Sequence, residues 1–211
     1  MATPSWIADD EMVFGALPIQ PVEIVDLLRR ISPHTVDGYG KPKRKDPNKM
    51  ETHKDTTPYK RAIFSVLKEH LDKIKGEALF TDPAAGKSEF MLDFLWLDEV
   101  NKYHQRALMG MECEWTRERS SGDPYEAVRQ DFTKLLHFKA PPKLLVSECP
   151  DDCRDGIREM LRTCLLQFEL HVKGECYLFV EFLGIIPERL NEPFPQEAWE
   201  FQVEARHSTD G

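Results

Sequence analysis

The stretch Met109-Gly110-Met111-Glu112-Cys113-Glu114-Trp115 constrains the fold more than any other: it has the apolar character of a buried strand, yet it carries two carboxylates. Strand alternation sets Met109, Met111, Cys113 and Trp115 on one face, and Gly110, Glu112 and Glu114 on the other. Unpaired charge in an apolar interior is costly, so this pair needs a partner. Arg or Lys, solvent and a divalent cation are the available choices. A second apolar run upstream, Phe90-Met91-Leu92-Asp93-Phe94-Leu95-Trp96-Leu97, also holds one acid near its middle. Two adjacent strands would therefore present Asp93, Glu112 and Glu114 to one point.

The flanking segments predict what surrounds these strands. Pro21 to Ile31 forms a short helix, with proline in its first turn and Val22, Val25 and Leu28 on an apolar stripe that Leu27 and Ile31 can extend. The polar stretch from Ser32 to Thr57 is rich in Lys, Asp, Pro and Gly and reads as a long loop. A second helix opens at Thr57-Pro58 and runs to Gly76, with Ile63, Val66, Leu67, Leu71 and Ile74 at helical spacing. Thr81 to Ser88 imitates a phosphate-binding loop, but Thr81 stands where the motif needs glycine and a strand follows where it needs a helix.

A polar stretch, Asp98 to Arg106, would join the two acidic strands in antiparallel fashion. A helix from Asp123-Pro124 presents Val128, Phe132, Leu135 and Leu136. Lys143 to Ser147 is a third strand, Asp151 to about Phe168 a fourth helix, and Glu175 to Ile185 an apolar strand. Trp199 to Val203 adds a candidate edge strand. Strand–helix–strand crossovers following antiparallel strands predict an α/β fold: a mixed central β-sheet flanked by helices. The expected organisation is an N-terminal arm, short helix and flexible basic loop over 1–57, an α/β domain over 58–204, and a disordered tail over 205–211.

At 211 residues the chain fits one medium domain. It has no apolar run of membrane-spanning length, its start lacks the pattern of a secretory leader, and its five cysteines have no regular spacing. The expectation is a cytoplasmic protein with no membrane partner. The net charge of −9 gives no general attraction to nucleic acid, but a local basic run, Lys41, Lys43, Arg44 and Lys45, could supply one. A solvated loop with no ligand is the alternative for that run. Cys149, Cys153 and Cys164 lack zinc-finger spacing.

Asp93 followed by Glu112-Cys113-Glu114 resembles the acidic motif of the PD-(D/E)XK nuclease superfamily, the restriction-endonuclease-like fold, over roughly 58–147. Glu112-Cys113-Glu114-Trp115 with Asp131-Phe132-Thr133-Lys134-Leu135-Leu136 is similar to a group of uncharacterised bacterial proteins assigned to that fold. The resemblance implies Mg2+ or Mn2+ held by Asp93, Glu112 and the main-chain carbonyl of Cys113, beside a scissile phosphodiester. Glu114 stands where the motif has lysine, making this a Glu-x-Glu variant in which Glu114 orients or deprotonates the attacking water. Some members shift the lysine to the following helix, where Lys134 is the candidate. Its wheel position, away from the Val128, Phe132 and Leu135 stripe, equally suits a solvated lysine. Asp131, Arg129 and Glu69 are additional candidates for the site, Glu69 reading also as a solvated helix acid.

Hydrolysis of nucleic acid, DNA first, is the function implied, by a homodimer or with a protein partner. The alternative is a catalytically degenerate nuclease fold serving as an interaction protein or a subunit of a bacterial defence or mobile-element system. An unrelated α/β module, with Glu112 and Glu114 paired to Arg61, Arg106 or Arg129, also remains open.

Overall fold

The computed structural model describes residues 17–31, 57–74, 76–80, 92–101, 104–115, 125–148, 152–182 and 196–203. The expected arm, the basic run Lys41, Lys43, Arg44 and Lys45, the segment 81–88, Cys149 and the tail 205–211 lie outside them. Among the described residues no helix is long and apolar enough to cross a membrane.

Helices α1 (Pro21–Leu28) and α2 (Thr57–Ile74) precede strands β1 (Glu77–Phe80), β2 (Phe94–Asn101) and β3 (His104–Trp115). Then α3 (Glu126–His137), β4 (Pro142–Glu148), α4 (Arg154–Gln167), β5 (Cys176–Phe182) and β6 (Gln196–Gln202) follow. The six strands form one mixed sheet in chain order. β1, β2 and β3 run antiparallel, β3, β4 and β5 parallel, and β6 antiparallel beside β5. The parallel pairs require crossovers, which α3 and α4 supply.

Alternation divides the core into two layers. Phe94, Trp96, Met109, Met111, Cys113, Leu144, Val146, Leu178 and Val180 pack against α1 and α2. Leu95, Leu97, Leu145, Tyr177 and Phe179 pack against Val128, Phe132, Leu135 and Leu136 of α3 and Ile157, Leu161 and Leu165 of α4. With helices on both sides, β4 and β5 are buried along their whole length.

Several expectations are corrected. β1 was not anticipated: its four residues are too few to display a period. The polar stretch after Leu97 is largely strand, since β2 runs to Asn101 and β3 starts at His104, with Asp98 opposite Arg106 and ion-paired to it at 2.9 Å. α1 ends at Leu28 and exposes Val22 while burying Ile24; Val25, Leu27, Leu28 and Ile31 are buried as the stripe has them. α3 and α4 begin at Glu126 and Arg154, later than the expected caps. β6 begins three residues before Trp199, whose ring stacks on Phe179 at 3.8 Å between centroids.

Gly76 ends α2 as anticipated, in a left-handed conformation (φ 77°). A Cβ there would fall on the backbone carbonyl of Leu97 in β2. Gly76→Ala is therefore expected to cost about 1–2 kcal/mol for the left-handed backbone, and more for the displaced strand. A lowered urea midpoint with unchanged slope checks this.

Candidate metal centre

The site forms where β2 and β3 part. Their ladder pairs Phe94 with Met111 at its last rung, while β3 stays bonded to β4 as far as Trp115 opposite Glu148. Beyond Met111 one edge of β3 has no strand partner among the described residues, and side chains of Asp93 and Glu112 bond there. The amide of Cys113 donates to Asp93 Oδ2 at 3.0 Å, and the amide of Asp93 donates to Glu112 Oε2 at 3.3 Å. Asp93 thus stands at the entrance of β2 rather than within it, and its carboxylate caps the open edge of the strand that carries Glu112.

The two expected acids converge, and each holds a lysine. Lys60 Nζ of α2 donates to Asp93 Oδ2 at 3.0 Å. Lys134 Nζ of α3 lies 3.0 Å from Glu112 Oε1 and donates to Asp131 Oδ1 at 2.6 Å. Lys134 keeps partial exposure but is ion-paired to Glu112 and Asp131. Asp131 flanks the buried stripe of α3, and the four-carbon stem of Lys134, one turn on, carries its ammonium past Asp131 to the sheet. Glu114 lies within the influence of Asp131, which raises its pKa. Asp93, Glu112, Glu114, Asp131, Lys60 and Lys134 therefore make one charged cluster, open toward solvent through the half-buried lysines and Asp93.

Four acids face two lysines, and the imbalance appears in the proton affinities. Glu112 is 1% exposed. Burial, then the charges of Asp131 and Asp93, push its carboxyl up to about 8 against the opposing pull of Lys134. Glu114 is raised by burial first, then by Asp131, with Lys60 opposing. Lys60 is raised because Asp93, Cys113 and Glu114 together outweigh the effect of its own burial. Lys134 is likewise raised, burial opposed by its bonds to Asp131 and Glu112. Glu112 Oε1 is buried and lacks a well-aligned hydrogen-bond donor despite the nearby ammonium. Carboxylate oxygens crowded in this way suit a hard divalent cation such as Mg2+ or Mn2+. Among the described residues no three His, Cys, Asp or Glu side chains stand as a ready-made metal cage.

Other candidates fall away from the cluster. Glu69 is exposed on α2 and pairs with Lys73 at 2.9 Å, which lowers its pKa. Arg129 is exposed, and its charge falls on the Cys164 thiol of α4. Of the arginines offered as alternative partners for the glutamates, Arg106 pairs with Asp98 and Arg61 is exposed on α2. The thiols of Cys113, Cys153, Cys164 and Cys176 are free, that of Cys113 turned into the α2 layer. The backbone amide of Cys113 bonds into the site through Asp93.

Sequence reasoning missed Lys60, although a signal was present. It lies at the head of the stripe Ile63, Phe64, Leu67 and Leu71, so the face of α2 that meets the sheet carries one charge. A charge in that register needs an acid on the sheet, and Asp93 is that acid. No family model, curated protein or solved structure matches this chain.

Proposed function

We propose that this chain is a cytoplasmic, Mg2+- or Mn2+-dependent nuclease of the restriction-endonuclease-like type, cleaving phosphodiester bonds in DNA. The observation that carries the reading is the ammonium of Lys134, delivered from α3 to within 3.0 Å of Glu112 Oε1. It puts a positive charge beside a Glu-x-Glu strand that lacks the motif lysine. Glu112-Cys113-Glu114 lies on the third strand of the sheet with α3 after it, which supports the reading, whereas Asp93 sits just before β2 rather than near the middle of a strand.

Asp93, Glu112 and the carbonyl of Cys113 would hold the cation. When bound, it would polarise the phosphate and lower the pKa of an attacking water. Glu114, its proton affinity raised by burial and Asp131, accepts a proton from that water more readily than an exposed glutamate would. Lys134 stays charged at neutral pH and is steadied by Asp131, so it can offset charge on the phosphate as the bond breaks.

The wild-type protein is expected to cleave oligonucleotides or plasmid with Mg2+ or Mn2+ and not in EDTA. Lys134→Met should lower cleavage by about 10²- to 10³-fold while metal affinity persists. Wild-type protein inert toward DNA and RNA with either metal would defeat the reading. The alternative, a nuclease fold kept for binding other proteins, would then lead. It is favoured by the ion pairs that Asp93 and Glu112 already make with lysines.

A further inference from the structure

We infer that Lys60 is a second phosphate-contacting cation of this site, parked on Asp93 until a metal takes that carboxylate. The inference rests on the nuclease reading and assigns a role to a residue outside the Asp-Glu-x-Glu motif. Lys60 and Lys134 approach the strand ends from opposite faces of the sheet, one from α2 and the other from α3. Each is half-buried at its stem and reaches one of the two converging carboxylates. A polyanion crossing the end of β3 therefore meets an ammonium on either side of Glu112.

Two donors meet at one oxygen of Asp93: its Oδ2 accepts from both the Cys113 amide and Lys60. A divalent cation on Asp93 would be repelled by an ammonium 3.0 Å from the same oxygen, so the two ligands compete. Lys60 displaced from Asp93 has a flexible stem and a charge to satisfy, and a phosphate chain beside the metal would offer it a new acceptor. Packing alone does not explain a lysine here. An apolar residue would continue the stripe of Ile63, Phe64, Leu67 and Leu71 without a buried charge to compensate.

Lys60→Met keeps the stem and removes the ammonium. Calorimetry should find Mn2+ bound about fivefold more tightly than by wild type, the competing ion pair being gone. Binding of a duplex oligonucleotide in Ca2+ should weaken, and the slope of log K against log salt should flatten by about 0.9. Lys60→Arg should keep the wild-type salt slope. On wild-type protein, acetylation of Lys60 read by peptide mass spectrometry should accelerate when Mg2+ is added, a measurement that does not depend on any variant folding.

Unchanged Mn2+ affinity and salt slope in Lys60→Met, or Mg2+-insensitive acetylation of the wild type, would reduce Lys60 to a structural ion pair. Wild-type protein that binds no Mn2+ would instead defeat the nuclease reading itself.

Discussion

Glu112→Gln is expected to lose metal binding by roughly a hundredfold or more and to show no measurable cleavage, while remaining folded. Changes one shell removed from a metal already cost about 10- to 100-fold, so loss of a direct carboxylate ligand should cost at least as much. The amide keeps the shape of the side chain, and its oxygen can still accept from the Asp93 amide as Glu112 Oε2 does. Lys134 keeps its bond to Asp131, so no buried cation is stranded. The expected stability change is about 1 kcal/mol or less. A variant that unfolds would mean that Glu112 serves the fold. One that is folded and binds Mn2+ like wild type would move the metal elsewhere.

Glu175→Gln is expected to be the most destabilising polar substitution, at about 3–5 kcal/mol. Lys143 and Glu175 are both fully buried and paired at 2.9 Å. Tyr177 accepts from Lys143 at 2.8 Å and donates to Glu175 at 3.0 Å, and His171 lies 3.5 Å from the same carboxylate. Neutralising Glu175 leaves the lysine in the α3 layer without a counter-charge. For a chain of this size each kcal/mol shifts Tm by about 2–4 °C, so the fall should be roughly 6–20 °C by scanning calorimetry. The double variant Lys143→Met with Glu175→Leu should recover much of it, because apolar replacement of a buried pair is often neutral. A single-variant loss below about 1 kcal/mol would show that Lys143 finds another partner.

The same network sets a pH dependence. Burial lowers Lys143 to about 8 from an ordinary 10.5, although Glu175 opposes it. Above about pH 8 the unfolded chain therefore binds a proton that the folded chain does not, and stability from this group rises with pH. Tyr177, raised by burial and then by Glu175, reverses the trend once an unfolded tyrosine ionises near pH 10. The gain should appear between about pH 8 and 10 and vanish in Lys143→Met, as urea unfolding at stepped pH would report.

The layered sheet was legible because its signals are periodic. β3 alternates, β4 and β5 carry the apolar runs Leu144 to Val146 and Tyr177 to Val180, and α2, α3 and α4 each repeat apolar residues at helical spacing. β1 was not legible, because four residues carry no period. Asp93 and Glu112 could be brought together from sequence because antiparallel pairing of two apolar strands leaves little choice of register. The lysines were harder. A helical wheel records where Lys134 leaves its helix, and its ammonium ends at the sheet only because the stem bends past Asp131. Lys60 and Asp93 are 33 residues apart, and Lys143 and Glu175 are 32 apart, so only the fold reveals them as pairs. Glu69 reads from the sequence mainly as a solvated helix acid, and it is one, paired with Lys73 one turn on.

The central claim is that Asp93 and Glu112 form a divalent-cation site, and Mn2+ titration of the wild-type protein by calorimetry tests it most directly. The account predicts saturable binding at one site at submillimolar Mn2+, abolished in Glu112→Gln. No binding at millimolar Mn2+, or binding indifferent to Glu112, would contradict it and leave the cluster as a set of salt bridges.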